Sequence, residues 1–411
     1  MSSAPPLHKA LKPLDAALAE LLGFATRLGE VEQVATQHAD GRVLAQELLS
    51  ALQVPPHDNS AMDGYALRCA DLASGAALPV TQRLAAGSAV ATLTPGSMAR
   101  IFTGAPIPVG ADAVVMQEDC NLQPNGTVRV QASVRLGQWI RRAGEDVAQG
   151  SVVLQKGERL SPASLGLAAS IGMDKLAVVR RPRVALLSTG DELVMPGEVA
   201  PEHMAPGAIY NSNRFFLNVL LKRLGCEVTD FGLVPDRLEA TIEALRASSA
   251  QHDLILTSGG VSVGEEDHIK PAVQALGTLD LWQIAIKPGK PFAYGKVANS
   301  HFIGLPGNPV SSFVTFLLLV RPFLLKLQGA AKVTTDSIAA SADFSWPRGD
   351  KRREFLRVRR NLAGRLELFP NQSAAVLTSV VWADGLVDNP PGQTIAPGDL
   401  VRFIPFSELL T

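Results

Sequence analysis

The feature that most constrains the fold is an alternation of apolar runs and amphipathic patterns that begins at Arg183. The stretch RVALLSTGDEL predicts a buried strand that ends in a polar turn, and NSNRFFLNVLLKRLG predicts a helix that ends at Gly225. Similar strand-like and helical patterns recur further along the chain. Strands joined by helices imply a parallel sheet with crossover connections. We therefore predict an α/β domain with a parallel sheet over residues 182–328.

The rest of the chain divides into three predicted domains that differ in their pattern of apolar residues. Leucines and valines at helical spacing over residues 13–50, and a second helical pattern after residue 150, predict a discontinuous helical linker domain made of 1–50 and 150–181. Short apolar runs between glycines and prolines predict a small β-rich domain over 51–149. Strands alternating with turns predict a C-terminal β-barrel-like domain over 329–411. The predicted fold class is therefore α/β multidomain.

The composition excludes several classes of protein. Apolar residues make up 46% of the 411 residues and charged residues 19%, which is typical of a folded chain. The formal net charge of −1 gives no global attraction to nucleic acid. Cys69, Cys120 and Cys226 lie too far apart in the sequence for a C-x-x-C metal motif. We expect them to be buried apolar residues of a protein in a reducing compartment.

No apolar segment predicts a membrane anchor. The N-terminal stretch lacks the apolar core of a signal peptide. The longest apolar run, 313–320, is followed by Arg321 and Pro322 and is shorter than the roughly 20 residues that span a bilayer. We therefore expect a cytoplasmic protein that binds neither membranes nor nucleic acid.

Four distinctive turns are expected at one edge of the predicted sheet, because ligands of open parallel sheets bind outside the carboxyl ends of the strands. These turns are STGDEL (188–193), TSGGVSVGEEDH (257–268), IKPGKP (286–291) and LPGNPVSS (305–312). Each has an ordinary interpretation by itself, since glycine turns, helix-start carboxylates and turn lysines are common on surfaces. Together they predict one crevice.

The chemistry of these turns indicates a phosphorylated ligand. The glycine turn Ser258-Gly259-Gly260, with Ser262, offers N–H and hydroxyl groups to an anion, and Asn308 before a proline predicts a helix start with further free N–H groups. Lys287 and Lys290 could also reach an anion. The same turns carry the carboxylates of Asp191, Glu192, Glu265, Glu266 and Asp267. Because carboxylates repel phosphate unless a divalent cation lies between them, we predict a Mg²⁺ ion in the crevice.

A second basic feature lies in residues 347–365, which hold eight lysines and arginines against two acids. In a strand, Phe355 and Arg357 share one face, while Leu356 and Val358 point to the other. Two interpretations stay open. The segment is either a solvated edge strand that is protected by its charge, or it presents an arginine to an oxyanion.

The chain resembles the MoeA family of molybdopterin molybdenumtransferases, which is shared with the E domain of gephyrin. The motifs that carry the resemblance are DNSAMDGYA (58–66), FTGAPIPVGADAVVMQED (102–119), RRAGEDV (141–147), STGDEL, YNSNR (210–214), TSGGVSVGEEDHIK, IKPGKPFAYGK (286–296) and GLPGNPVSS (304–312). The resemblance implies a MogA-like fold for the α/β domain. It also implies an enzyme of molybdenum cofactor biosynthesis that uses Mg²⁺ and molybdate, takes adenylylated molybdopterin and releases AMP.

The resemblance also assigns roles to individual residues. The implied catalytic residues are Asp63, Thr103, Glu192, Asp236 and Asp267, of which Glu192 and Asp267 would hold the metal. The residues that it implies for molybdate or substrate binding are Ser262, Lys287, Lys290, Pro291, Arg357 and Ser373. To these, the turn chemistry adds Ser258, Gly259, Gly260 and Asn308.

The family pattern further implies a homodimer in which Asp63 and Thr103 act across the subunit interface. Implied protein partners are molybdopterin adenylyltransferase and proteins that mature molybdoenzymes. Three other functions stay open on the sequence alone: an adenylyltransferase that shares the α/β domain, a scaffold, and a nucleotide-binding module without turnover. The ~180 residues before the α/β domain disfavour the first, and the lack of a fused second domain disfavours the second.

Overall fold

The structure is a computed structural model that describes residues 11–260 and 268–410. Its first part contains two helices and twelve strands. In chain order these are α1 (Leu14–Phe24), β1 (Val31–Ala35), β2 (Leu48–Leu49), β3 (Asn59–Ser60), β4 (Gly64–Leu67), β5 (Leu78–Leu84), β6 (Met98–Ile101), β7 (Ala113–Met116), β8 (Cys120–Leu122), β9 (Thr127–Val130), β10 (Ile140–Arg141), β11 (Val152–Leu154), α2 (Pro162–Ser170) and β12 (Lys175–Val179).

The small domain is β-rich, as its short apolar runs between glycines and prolines predict. Its six strands lie in the order β7-β4-β6-β5-β9-β8, and all neighbours are antiparallel except β5 and β6. The linker region is discontinuous in sequence, but its two segments meet in space, because β1 pairs antiparallel with β12 and β2 with β11. The predicted domain boundaries themselves remain predictions.

The helical prediction for residues 13–50 is wrong beyond the first helix. Helix α1 ends at Phe24, and Val31 and Val34 belong to strand β1. Two valines three residues apart fit a helix, but β-branched residues also favour a paired strand, and pairing with β12 decides between them. Helix α1 itself packs on the α/β domain, where Leu14 and Leu21 join the core that contains Leu317.

The α/β domain contains nine strands and five helices in the described residues. They are β13 (Arg183–Thr189), β14 (Leu193–Val194), β15 (Ile209–Tyr210), α3 (Ser212–Arg223), β16 (Glu227–Val234), α4 (Leu238–Ser249), β17 (Leu254–Ser258), α5 (Ile269–Leu276), β18 (Gly277–Gln283), β19 (Ile286–Lys287), β20 (Pro291–Val297), β21 (Ser300–Leu305), α6 (Pro309–Thr315) and α7 (Arg321–Leu327).

The central sheet is mixed rather than fully parallel, in the order β16-β13-β17-β21-β20-β18. Its first four strands are parallel, and β20 runs antiparallel to both β21 and β18. Every residue of β17 is buried, which is typical of a strand covered on both faces. Since two reversals restore the original direction, β18 runs the same way as β17. The carboxyl ends of β13, β17, β21 and β18 therefore lie at one edge.

The helix that contains the apolar run 313–320 continues through Arg321 and Pro322, which follow that run. Helices α6 and α7 are joined through a π-helical turn over Phe316–Val320 into one helix, Pro309–Leu327. The missing N–H of proline is accommodated next to that wider turn. By length and composition this 19-residue helix could cross a membrane, but 89% of its 18-residue apolar window is buried inside the fold. Its burial indicates a core helix.

The C-terminal domain closes into a ring of strands. Its elements are β22 (Ile338–Ser341), β23 (Arg353–Arg360), β24 (Leu366–Leu368), α8 (Thr378–Trp382), β25 (Gly385–Asn389), β26 (Leu400–Pro405) and α9 (Phe406–Leu409). Strands pair in the order β22-β26-β25-β23-β24, and a bridge between Ala342 and Leu366 joins the two ends. This arrangement agrees with the predicted barrel-like domain.

Strand β23 is not a solvated edge strand. It pairs with β25 on one side, and with β19 and β24 on the other. Its side chains alternate as predicted: Leu356 and Val358 enter the barrel core, and Phe355 enters the core shared with the α/β domain. The face that carries Arg357 is therefore buried between two domains.

The expectation that all three cysteines are buried holds only for Cys226, since Cys69 and Cys120 are half-buried. Burial raises the pKa of the Cys69 and Cys120 thiols to about 11, and that of Cys226 to about 12. All three are therefore protonated thiols at neutral pH, which makes them poor metal ligands.

A bidentate ion pair joins the linker region to the start of β17. Arg180 donates two hydrogen bonds of 2.7 Å to the Asp253 carboxylate, which also accepts the amide of Arg183 at 2.8 Å. Burial by itself would raise the pKa of Asp253, but these hydrogen bonds outweigh burial and hold the pKa below its ordinary value. The ionised carboxylate is thus the form that the fold stabilises.

We predict that Asp253→Ala lowers the free energy of unfolding by about 3 kcal/mol, because it leaves the mostly buried Arg180 without this partner. The pKa of Asp253 is lowered in the fold, so its contribution is present above about pH 4 and is lost as the pH falls. Urea denaturation at pH 7 and pH 3.5 measures both effects. Glu227→Ala is the control: it breaks an exposed pair with Arg183 and should cost less than about 1 kcal/mol. Equal losses in both variants would contradict the prediction.

Candidate active site

A cleft of about 730 Å³ lies at the carboxyl edge of the central sheet. Three of the four predicted turns line it, those after β13, β17 and β21, and the fourth contributes Pro291. Of the predicted site residues, seven lie on its walls: Glu192, Asp236, Ser258, Gly259, Gly260, Pro291 and Asn308. The structure thus brings together residues that are far apart in the sequence, although their individual roles remain predictions.

The glycine turn after β17 needs glycine for steric reasons. Gly259 and Gly260 have φ angles of +93° and +67°, which side chains rarely adopt. A Cβ atom on Gly260 would lie 2.6 Å from Cγ1 of Ile269, and one on Gly259 would lie 3.1 Å from the carbonyl oxygen of Thr189. The turn therefore exposes backbone to the cleft at a point where no side chain fits.

Carboxylates lie on the same walls. Glu192 and Asp236 both line the cleft, and the Asp236 amide donates to the carboxylate of Asp191 at 3.3 Å. Asp267, Ser262, Glu265 and Glu266 lie outside the described residues. Residues 11–260 and 268–410 contain no group of three or more acidic, histidine or cysteine side chains that could hold a metal ion. A metal site in this cleft would accordingly use two described carboxylates at most.

The cleft also contains amide and hydroxyl groups that the sequence analysis missed. Asn213 donates hydrogen bonds of 2.7 Å to the Ser258 hydroxyl and to the carbonyl of Gly307, which ties together the turns after β17 and β21. Three cleft-lining groups are buried without a hydrogen-bond partner in the described chain: Asn213 Oδ1, Asn211 Nδ2 and Thr189 Oγ1. Because buried polar atoms are normally paired, these atoms indicate a polar ligand or ordered water. The YNSNR motif, which contains both asparagines, was the sequence feature that could have identified them.

The helix start at Asn308 offers fewer free N–H groups than predicted. Asn308 is the N-cap of α6, but its side chain makes no capping hydrogen bond, and Pro309 has no N–H. The amide of Val310 donates to the carbonyl of Ala374 in the C-terminal domain at 3.0 Å. This end of the helix is therefore partly satisfied by a neighbouring domain.

The two lysines of the IKPGKP turn have different surroundings. The Lys287 ammonium lies 3.1 Å from the buried carboxylate of Glu354 and 3.4 Å from Asp350, both in the C-terminal domain. Hydrogen bonds from Arg352 and the nearby Lys287 charge hold the pKa of Asp350 well below its usual range. Lys290 is exposed and forms no ion pair with any residue in the described ranges. Lys287 thus joins two domains, and Lys290 is the more available cation.

Arg357 is buried beside the cleft instead of exposed in it. Its side chain is 1% exposed and donates to the Ser379 hydroxyl and to the carbonyls of Phe355 and Ser373, at distances of 3.1–3.3 Å. Burial lowers the pKa of its guanidinium to about 10, so it stays charged at neutral pH. Ser373 precedes Ala375, which lines the cleft. Arg357 therefore holds the chain segment that forms one cleft wall.

Asp63 and Thr103 lie together in the small domain, not in the cleft of the same chain. The carboxylate of Asp63 accepts hydrogen bonds of 2.8 Å from both the amide and the hydroxyl of Thr103. These bonds hold the pKa of Asp63 below its ordinary value although the pair is exposed. Two motifs separated by 40 residues thus form one exposed acidic group.

Comparisons with known proteins agree with this layout. Family models described as the MoeA N-terminal region (domain I and II), a probable molybdopterin binding domain and the MoeA C-terminal region (domain IV) match residues 10–172, 185–326 and 339–406. A Haemophilus influenzae protein named molybdopterin molybdenumtransferase is 47% identical over 311 residues, 75% of each chain. Molybdopterin molybdenumtransferase 2 of Mycobacterium tuberculosis is 36% identical over 86% of this chain and 89% of its own.

Solved structures give the same result. The crystal structure of the molybdopterin biosynthesis MoeA protein of Pyrococcus horikosii is 31% identical, with a TM-score of 0.76 over 97% of this chain and 99% of that one. A second MoeA crystal structure, from Pyrococcus horikoshii OT3, has a TM-score of 0.83 at 28% identity, over 96% of this chain and 99% of that one. The resemblance inferred from the motifs is confirmed, and the chain belongs to the MoeA family.

Proposed function

We propose that this chain is a molybdopterin molybdenumtransferase of molybdenum cofactor biosynthesis. Its substrates are molybdate and adenylylated molybdopterin, and it releases AMP in a Mg²⁺-dependent reaction. The observation that carries the proposal is the cleft in which a glycine turn, two carboxylates and three unpaired polar groups meet at the carboxyl edge of the sheet. The names of relatives that cover most of the chain support the same activity.

The walls of the cleft suit an adenylylated pterin. The phosphates would lie against the turn Ser258-Gly259-Gly260, whose backbone can approach them closely. The unpaired atoms of Thr189, Asn211 and Asn213 include donors and acceptors, which the ring system of a pterin can pair. Bound ligand would remove the cost of leaving these buried groups unpaired, so binding favours a heterocycle over a purely apolar molecule.

The donor set of the cleft fits a Mg²⁺ ion. This ion commonly uses one or two carboxylates and completes its shell with substrate phosphates and water. Glu192 would hold it, assisted by Asp236 in the described chain and by the predicted ligand Asp267. Bound there, the ion would neutralise charge that develops on the phosphate oxygens. The carboxylates would otherwise repel the phosphates, which explains why acids and an anion-binding turn share one crevice.

Molybdate is a substrate and needs a cationic position of its own. Lys290 is exposed at the end of the turn that supplies Pro291 to the cleft, so it is our leading candidate for that contact. Lys287 would have to share its charge with Glu354 and Asp350. For Arg357 we propose an indirect role, in which it holds Ser373 and the adjoining cleft wall. Ser373 would then contact the anion, and Ser262 stays a predicted binding residue.

The reaction couples two changes. Water adds to phosphorus at the phosphoanhydride, the bond to AMP breaks, and the pterin keeps its terminal phosphate. The two thiols of the dithiolene bind molybdenum, and their two protons leave with one oxygen of molybdate as water, with no change in the oxidation state of the metal. The chain's own contribution is to hold both anions side by side, with fixed N–H groups and lysine charge that offset their repulsion. If the phosphoanhydride is cleaved only when molybdate is bound, the free energy of its hydrolysis is coupled to metal insertion.

The proposal includes a homodimer in the cytoplasm. The exposed Asp63–Thr103 pair would complete the cleft of a partner subunit, since neither residue lines the cleft of its own chain. A closed two-fold dimer would then contain two composite sites. Molybdopterin adenylyltransferase, which would supply the substrate, and molybdoenzyme maturation proteins are the proposed protein partners. The burial of helix 309–327 is consistent with this cytoplasmic setting.

The proposed activity predicts AMP release from adenylylated molybdopterin that requires the protein, Mg²⁺ and molybdate together. Glu192→Gln should lower the rate by at least about tenfold, with partial recovery at higher Mg²⁺, because it removes a carboxylate from the metal site. Glu198→Gln, the same change at an exposed position outside the cleft, is the control. AMP is followed by chromatography. Synthesis of adenylylated pterin from ATP, or AMP release that ignores molybdate, would overturn the proposal.

The shared site predicts complementation between two inactive variants. Asp63→Asn and Glu192→Gln should each abolish most activity, and their co-expressed heterodimer should recover about half of the wild-type rate, because one of its two composite sites carries neither change. The matched control pairs Asp63→Asn with Thr103→Val. Both lesions then lie on the same side of the interface, each site receives one, and no activity returns. A verified Asp63/Glu192 heterodimer without recovery would show that Asp63 acts within its own chain.

A further inference from the structure

A second pocket, of about 450 Å³, lies where the linker region meets the α/β and C-terminal domains. The turn 155–159, the start of α7, the segment 330–336 and helix α9 line it. It shares no lining residue with the cleft at the carboxyl edge of the sheet. Nothing in the proposed reaction uses it.

Arg321 is the central cation of this pocket. It is 8% exposed, and its Nη atoms donate to the Thr335 hydroxyl at 3.1 Å and to the carbonyl of Glu408 at 3.0 Å. Its Nε is buried without a hydrogen-bond partner in the described chain. No carboxylate of the described residues lies within ion-pair distance of this guanidinium, so its direct hydrogen-bond partners are neutral oxygens.

Arg159 is a second arginine of this pocket that lacks an ion-pair partner among the described residues. Its guanidinium is half-buried and donates to the carbonyls of Gly41 and Arg223, at 3.3 Å and 3.2 Å, with no ion pair in the described part of the chain. Burial lowers the pKa of Arg159, and Asp40 opposes that effect. Burial and the positive charge of Arg159 together lower the pKa of Arg321. Both arginines line the same pocket, where their positive charges repel each other.

The acidic residues around the pocket do not neutralise the charges of the two arginines by direct contact. Glu158 accepts a hydrogen bond from the Ser164 hydroxyl at 3.0 Å, and Asp336 pairs with Lys332 at the exposed rim. Glu408 is exposed and attracts Arg321 only at longer range, because its backbone carbonyl makes the direct contact. Lys156, Lys332 and the hydroxyl of Thr334 add further anion-compatible groups to the lining.

We propose that this pocket is a second ligand site, which binds a small phosphate-class oxyanion, inorganic phosphate or a phosphate monoester, between Arg159 and Arg321. A guanidinium presents several donors in a fixed fork that matches such an anion, and the unpaired Nε of Arg321 supplies a donor that nothing else uses. Two cations on the walls of one pocket favour a doubly charged phosphate over a singly charged carboxylate. The bound anion would remove their repulsion and hold three regions of the chain together.

The test is isothermal titration of the full-length protein with inorganic phosphate, with acetate as the singly charged comparison. Arg159→Gln and Arg321→Lys should each weaken phosphate binding by about tenfold or more, since each loses a charge-assisted donor or its forked geometry. Arg246→Gln on the exposed face of α4 controls for the loss of one positive charge. Lys290→Ala controls for binding in the cleft. Circular dichroism and urea denaturation establish that each variant folds.

The proposal requires that phosphate binding survive in Arg246→Gln and Lys290→Ala and be lost in Arg159→Gln. It is overturned if the Arg159→Gln and Arg321→Lys curves match that of the wild type, or if Lys290→Ala abolishes binding, which would place the phosphate in the cleft. If Arg321→Lys fails to fold, Arg159→Gln decides the outcome. None of these results depends on molybdenum transfer.

Discussion

The parallel hydrogen-bond ladder between β13, β17 and β21 is the constraint on which the rest of the structure depends. Its register aligns Ser188 with Ser258, and Ser258 with Leu305, so three chain segments end together at one edge. The buried apolar faces of these strands hold that register, since a slip of one residue would turn their side chains away from the core. Everything in the cleft follows from this alignment: the glycine turn, the carboxylates and the start of α6 meet because their strands do.

The C-terminal domain is an active part of that arrangement. Strand β19 leaves the α/β domain to pair with β23, and it brings Lys287 to Glu354. In return, the carbonyl of Ala374 accepts the Val310 amide, and Arg357 holds Ser373 beside the cleft wall. Burying a charged arginine that is bonded only to neutral oxygens costs desolvation free energy. An apolar side chain would fill the same space without that cost, so packing alone does not explain an arginine here. The cleft is therefore shaped by two domains of one chain.

Much of this could be predicted from the sequence, and the failures have physical causes. Continuous apolar runs identified β13 and β17 because buried parallel strands need no alternation. The antiparallel direction of β20 and the joining of α6 to α7 through Pro322 were missed, since an apolar pattern carries neither strand direction nor the option of a π-helical turn. Family motifs located most cleft residues. The bonds from Asn213 to Ser258 and Gly307 span 45 and 94 positions, and no local pattern contains that information.

The central claim, that the cleft at the carboxyl edge is where molybdate meets the pterin substrate, is tested most directly by anomalous X-ray scattering. Crystals of the protein soaked with molybdate, Mg²⁺ and AMP would be measured above and below the molybdenum absorption edge. The account predicts a molybdenum peak in the cleft, between the turn that carries Lys290 and Pro291 and the glycine turn Ser258-Gly259-Gly260. A peak in the pocket of Arg159 and Arg321 alone, with none in the cleft, would contradict it.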